Sequence, residues 1–190
     1  EKSKLHALRI QTPLAILRCP TRNRPDTKPF KKKDYINISS GDQPSQVATT
    51  DYAGNGGSQG FQNSGSNNVK GPGLSALTDP DSTVEAFHAG GTLMKHNGAT
   101  FVRSEVKAAN ILDGSSKTYL LGERYLHFTS YETSVGDDDQ SWDSGYDWDV
   151  NRWSNVAPRF DQDNGSTASN SNFGSAHLAT FNMAFCDGTV

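Results

Sequence analysis

Six carboxylates fall within thirteen residues of this chain: Asp137, Asp138, Asp139, Asp143, Asp147 and Asp149. Serine and glycine spacers between them add hydroxyl and carbonyl oxygens. Hard cations such as Ca2+ take six to eight oxygens, so the cluster is a candidate metal site for one Ca2+. Without a counter-charge the carboxylates repel one another and raise one another's pKa. Arg152 is the one local cation and cannot neutralise six. Asp161-Gln162-Asp163-Asn164-Gly165 offers more oxygens, but neither stretch has EF-hand spacing. The competing reading is a solvated acidic face, or one neutralised by a basic segment elsewhere in the chain. Trp142, Tyr146, Trp148 and Trp153 flank the cluster. They suit either a stacking platform for a glycan or a small core beneath the loop.

His177 and Asp187 suggest acid–base work with Ser115, Ser116 or Glu123. A nucleophile, a base and an orienting carboxylate would have to meet in space. No G-x-S-x-G elbow is present, and Asp187-Gly188 already reads as a turn. Hydrogen bonding of His177 to backbone at a strand start is the expected role, and no catalytic residue is assigned. His6, His88, His96 and His127 show no H-x3-H or H-E-x-x-H spacing, so no zinc-hydrolase pattern exists. Cys19 and Cys186 stand far apart, with no C-x-x-C. They either form one long-range disulfide, as in an exported protein, or remain two thiols.

The elements that position these residues are mostly short. The chain has 190 residues, 33% hydrophobic and 21% charged, with 18 glycines and 18 aromatics. That composition suits one domain, 1–190, with a modest core and much loop. It excludes a coiled coil or a disordered polyelectrolyte. No apolar run approaches the ~20 residues of a membrane span. Residues 1–35 hold ten Lys/Arg against three acids, whereas the rest of the chain carries an excess of ten acids. Pro20, Pro25 and Pro29 prevent a helical basic stripe and no aromatics interleave, so nucleic acid is not the expected partner. Docking of this basic arm on the acidic half is the favoured reading.

Alternation of Leu8, Ile10, Leu14 and Ile16 around Pro13 predicts extended chain over 5–18. Residues 30–80 read as a long glycine-rich loop, centred on 51–73 and anchored by Tyr35, Ile36, Ile38, Tyr52 and Phe61. Strands are expected at 98–104, 117–125 and 179–186. Phe181, Met183 and Phe185 share one face of the last, and the Asp187-Gly188 turn follows. Helical turns are expected at 106–112. The fold class is α+β, mainly β, with an antiparallel sheet and long irregular loops.

Five segments then carry a resemblance. Phe173-Gly174-Ser175-Ala176-His177, nine residues and Asp187-Gly188 resemble the H-x9-DG ending of a planctomycete-type prepilin-like family. Leu17–Arg22, Asp51–Asn55, Ile111–Thr118 with Leu121-Gly122-Glu123, and Tyr146–Asp149 with Arg152-Trp153 resemble its head in the same order. The resemblance implies a pilin- or pseudopilin-like head, structural rather than enzymatic, in the cell envelope or outside the cell. Its partners would be other pilin-like subunits, met through a hydrophobic helix expected before Glu1. The head alone is expected to be a monomer or weak oligomer. Type II secretion pseudopilins that bind calcium in a head loop lend the Ca2+ reading an analogy. A calcium-dependent extracellular binding module, directed at glycans, is the alternative function.

Overall fold

The computed structural model describes residues 1–30, 35, 37–58, 97–100, 104–134, 138–145, 147–163 and 171–190. Phe61, most of the glycine-rich loop, Ile36, Lys31–Lys33, Asp137, Tyr146, Asn164 and Gly165 lie outside them.

The first element is a helix, α1 (Lys2–Gln11), where extended chain was expected. The reason is the partner surface. Ala7 and Ile10, three residues apart, share one helical face and pack against Ile38 and Tyr35. That spacing outweighed the two-residue alternation of Leu8 and Ile10. Thr12 ends the helix in an extended conformation, as a residue before proline must. A single 3-10 turn, Ala15–Leu17, leads into the Cys19 segment.

Eight short strands follow: β1 (Thr27–Pro29), β2 (Gln46–Ala48), β3 (Tyr52–Asn55), β4 (Tyr119–Glu123), β5 (Asn151–Arg152), β6 (Arg159–Phe160), β7 (Gly174–Ser175) and β8 (Met183–Phe185). Among the described residues the main sheet has the order β5-β3-β4-β8, and β1-β2 and β6-β7 form two-stranded ribbons. The architecture is α+β and mainly β, as the strand and turn pattern suggested. The main sheet is mixed rather than wholly antiparallel, because β5 runs parallel to β3, and the separate β6-β7 ribbon is parallel. β4 and β8 match the expected strands at 117–125 and 179–186. The expected strand at 98–104 is described at 98–100 and 104, none of which is in a strand. Thr100 instead bonds the edge of β3 through its N–H to Asn55 O at 3.0 Å. The expected helical turns at 106–112 reduce to one 3-10 turn, Ala108–Asn110.

β4 must approach β8 closely, and Gly122 permits it. A Cβ at that position would sit 1.9 Å from the Met183 sulfur. Tyr52 and Glu123 are register partners across β3 and β4. Ala53, Phe173 and Met183, with Phe181 against them, form an apolar cluster beside this pairing. Among the described residues no helix is long and apolar enough to cross a membrane.

Much of the interior is ionic. Among the described residues, Arg124, Arg152, Lys28, Glu123, Asp51 and Asp138 are among the largest fully buried side chains. An ion inside a protein is costly unless paired and hydrogen-bonded, so the pairing of these groups decides whether the fold stands.

Candidate functional site

Cys19, at the start of the first irregular segment, is held by its backbone. Its N–H donates to Asp51 Oδ2 at 2.7 Å, while Asp51 N–H donates to Leu17 O at 2.8 Å. The same Asp51 receives Arg22 at 3.2 Å and Arg24 at 2.6 Å. Arg22 also forks onto Asp161, with contacts of 2.7 and 3.1 Å. Arg24 reaches Asp138 at 2.7 Å, and Lys28 and Arg124 bind the same carboxylate. All these side chains are fully buried.

The electrostatics follow from this packing. Burial works against ionisation of Asp138, but Arg124, Arg24 and Lys28 overcome it and hold the carboxyl far below its usual range. Asp51 is lowered in the same way, chiefly by Arg24 and Arg22 against burial. Burial, with Arg24 and Arg124 adding to it, pushes the Lys28 ammonium down to about 8 against the pull of Asp138.

The basic arm therefore docks on the acidic half through Arg9, Arg22, Arg24 and Lys28. The six loop carboxylates go to different tasks. Asp138 belongs to the buried ion cluster. Asp143 takes Arg9 of α1 at 2.8 Å. Asp149 Oδ1 accepts the N–H groups of Asp139 and Gln140 at 2.8 and 2.9 Å, which tightens the loop. Burial first, and the adjacent Asp147 next, raise Asp149 well above the usual carboxylate range. Asp147 accepts from the Gln140 side chain at 2.9 Å. Asp139 is buried and Asp137 lies outside the described residues. Trp153 is wholly buried, which fits a small core rather than a stacking platform. Trp142, half-buried, donates its indole N–H to Thr12 O at 3.1 Å.

The second buried group joins segments that the sequence reading kept apart. Glu123, at the end of β4, extends Oε1 to the Nε2 of His177 at 3.1 Å and accepts the Cys19 thiol at 3.3 Å. Cys19 Sγ and His177 Nε2 are 3.8 Å apart. Glu123 Oε2 is fixed by Asn182, which donates its backbone N–H at 2.7 Å and its amide at 3.1 Å. The free Nδ1 edge of His177 faces Thr21 Oγ1 at 3.4 Å. Cys19 and Glu123 are buried, whereas the His177 side chain keeps 29% exposure. Burial raises the Cys19 thiol, and the Glu123 carboxylate adds to it against a backbone hydrogen bond at Thr21.

Of the two alternatives for the cysteines the structure has the second: Cys19 and Cys186 do not pair, and both are free thiols, with Cys19 committed to Glu123 and Cys186 just beyond β8. One expectation is corrected here. His177 does not serve the backbone through its ring, which engages Glu123. Asp187 is elsewhere in the chemistry. It is exposed, and its Oδ1 accepts the Thr189 N–H at 3.0 Å and hydroxyl at 2.8 Å. Those hydrogen bonds lower its pKa. Gly188, at φ +87°, closes that turn. The H and DG parts of the ending thus do separate jobs.

Cys19, Arg22, Asp51–Asn55, Leu121–Glu123, Arg152 and His177 of the motif segments meet on β3, β4, β5 and the two buried clusters, whereas the Asp187-Gly188 turn stands apart. The family model described as a protein of unknown function, DUF1559, matches residues 1–190. The chain belongs to that family. No curated protein and no solved structure matches it. Sequence reasoning missed Arg22, Arg24, Lys28, Asp51 and Asp161 as a structural ion cluster. The signal that could have found them was the opposed charge of the two parts of the chain.

Proposed function

We propose that this DUF1559 chain is the head of a pilin-like envelope subunit, structural rather than enzymatic, that assembles with like subunits. The observation that carries the reading is α1. One face of the helix, Ala7 and Ile10, is buried against the head, while Leu5 and Leu8 on other faces are 59% and 62% exposed. A helix apolar on more than its packed face has a second surface to cover, and helices of neighbouring subunits would cover it. The motif residues support the same reading, since Asp51, Glu123 and His177 tie separate segments of the head together.

The test is cross-linking in the full-length protein in its own cells. With Cys186→Ser as background, Leu5→Cys and Leu8→Cys each give disulfide-linked dimers and higher species under oxidation. Expressed, folded protein that stays monomeric at both positions overturns the proposal.

A further inference from the structure

Cysteine sulfur, histidine nitrogen and carboxylate oxygen are the donor set of zinc, and here all three meet. Sγ of Cys19, Oε1 of Glu123 and Nε2 of His177 lie within 4.8 Å of one another. Around tetrahedral Zn2+, bonds of ~2.0–2.3 Å put neighbouring donors of this set about 3.3–3.6 Å apart. The observed edges are 3.8, 3.3 and 3.1 Å, each within about 0.3 Å of that geometry. No large rearrangement is needed to admit the ion.

We propose that Cys19, Glu123 and His177 form a binding site for one Zn2+ ion, with the fourth position left to water. Three further observations support it.

The first is charge. A thiolate, a carboxylate and a neutral imidazole balance a divalent cation, so the complex is neutral and suits a site where two of three ligands are buried. Without metal the Cys19 S–H proton occupies this space, donated to Glu123; on binding it leaves for solvent and the sulfur takes the metal.

The second is support. A ligating carboxylate and imidazole need partners that hold their orientation. Glu123 Oε2 has two donors from Asn182, and His177 Nδ1 has Thr21 Oγ1. Cys19 is fixed through its own N–H on Asp51. The atoms facing the proposed metal are the ones those contacts leave over.

The third is access and selectivity. His177 is the solvent-facing member and gives the ion a path in. Thiolate sulfur disfavours hard Ca2+ and Mg2+ and favours zinc-like ions. The ion would tie the N-terminal segment, β4 and the C-terminal segment at one point. The site stands on these three side chains alone and does not depend on subunit assembly.

Cobalt is the optical probe, because Co2+ enters zinc sites and a thiolate ligand gives it a near-ultraviolet charge-transfer band. Reduced, tag-free native protein titrated with Co2+ shows that band saturating at one equivalent, and one equivalent of Zn2+ abolishes it. Cys186→Ser keeps the band; Cys19→Ser and His177→Ala lose it. Absence of the band in folded native protein, or its survival in Cys19→Ser, overturns the proposal. If Cys19→Ser fails to fold, X-ray absorption at the zinc edge of the native protein decides. One sulfur at about 2.3 Å with lighter atoms supports the site, and a shell of oxygen and nitrogen only refutes it.

Discussion

The Leu17–Arg22 segment touches two buried carboxylate centres that are neutralised in opposite ways. At Asp51, Asp138 and Asp161 the counter-charges are the chain's own Arg22, Arg24, Lys28 and Arg124. At Glu123 the chain supplies a thiol and an imidazole, neither of them a permanent cation. The first centre is complete as folded. The second is satisfied by hydrogen bonds whose protons an ion can replace. The difference is one of residue type: guanidinium groups stay charged in a buried site, whereas Cys and His leave it exchangeable.

The largest effect tests the permanent centre. Asp138→Ala leaves three buried cations without their shared carboxylate, and the expected loss is ~3–5 kcal/mol of unfolding free energy. Urea denaturation measures it; a loss under about 1 kcal/mol would mean that the cluster is wetter than its burial implies.

The exchangeable centre should respond to metal instead. At a free Zn2+ concentration a hundred times its Kd, the gain is about 2.7 kcal/mol. For a chain of this size that raises the melting temperature by roughly 5–10 °C. The same titration in Cys19→Ser gives no shift. An equal rise with CaCl2 that persists in Cys19→Ser would point back to the acidic loop and collapse the distinction.

Acid titration separates the carboxylates by sign. Asp138 and Asp51 have lowered folded pKa values, so their stabilisation is present above the unfolded value of ~3.9 and is lost as the pH falls through the folded ones. Asp149 is raised, so its contribution is full below ~3.9 and declines as the pH climbs through its folded value. Asp149→Asn should therefore stabilise the protein at neutral pH by about 1 kcal/mol and leave the acid limb unchanged, as urea midpoints from pH 3 to 7 would read. A destabilised variant at pH 7 would show that the ionised carboxylate is needed there.

The smallest effect belongs to the surface. The Arg9 side chain is 57% exposed where it meets Asp143, so Arg9→Ala should cost ~0.2–1 kcal/mol and nothing in high salt. Thermal melting at two ionic strengths checks this.

The sequence made strands β4 and β8 legible, because alternation in Thr180–Phe185 and the Asp113-Gly114 and Asp187-Gly188 turns are local signals. α1 was hidden because its decisive partners, Tyr35 and Ile38, lie more than twenty residues away. The docking of the basic arm was visible as opposed charge, but not which arginine meets which aspartate. The Cys19–Glu123–His177 group was invisible to spacing rules, since 104 and 54 residues separate its members. Only the pairing of β4 with its neighbours brings them together. Their motifs are recognisable one by one, and the sequence offers Cys19 only as a partner for Cys186 or as a free thiol, not as a neighbour of Glu123.

An interior so rich in buried ions also shapes how the protein meets heat and cold. Unfolding exposes apolar surface, which raises the heat capacity, and polar surface, which lowers it. Among the described residues, Arg22, Arg24, Lys28, Arg124, Asp51, Asp138 and Asp161 become exposed alongside few large apolar side chains. The heat-capacity increment should therefore fall below the usual ~12–15 cal/mol/K per residue. The stability curve is then broad and flat, with its cold-denaturation limit pushed further down. The cost of keeping the ion cluster dry also lessens on warming, as charged groups lose part of their advantage in water. The ionic heart of the head thus favours constancy across temperatures over a high maximum at any one of them.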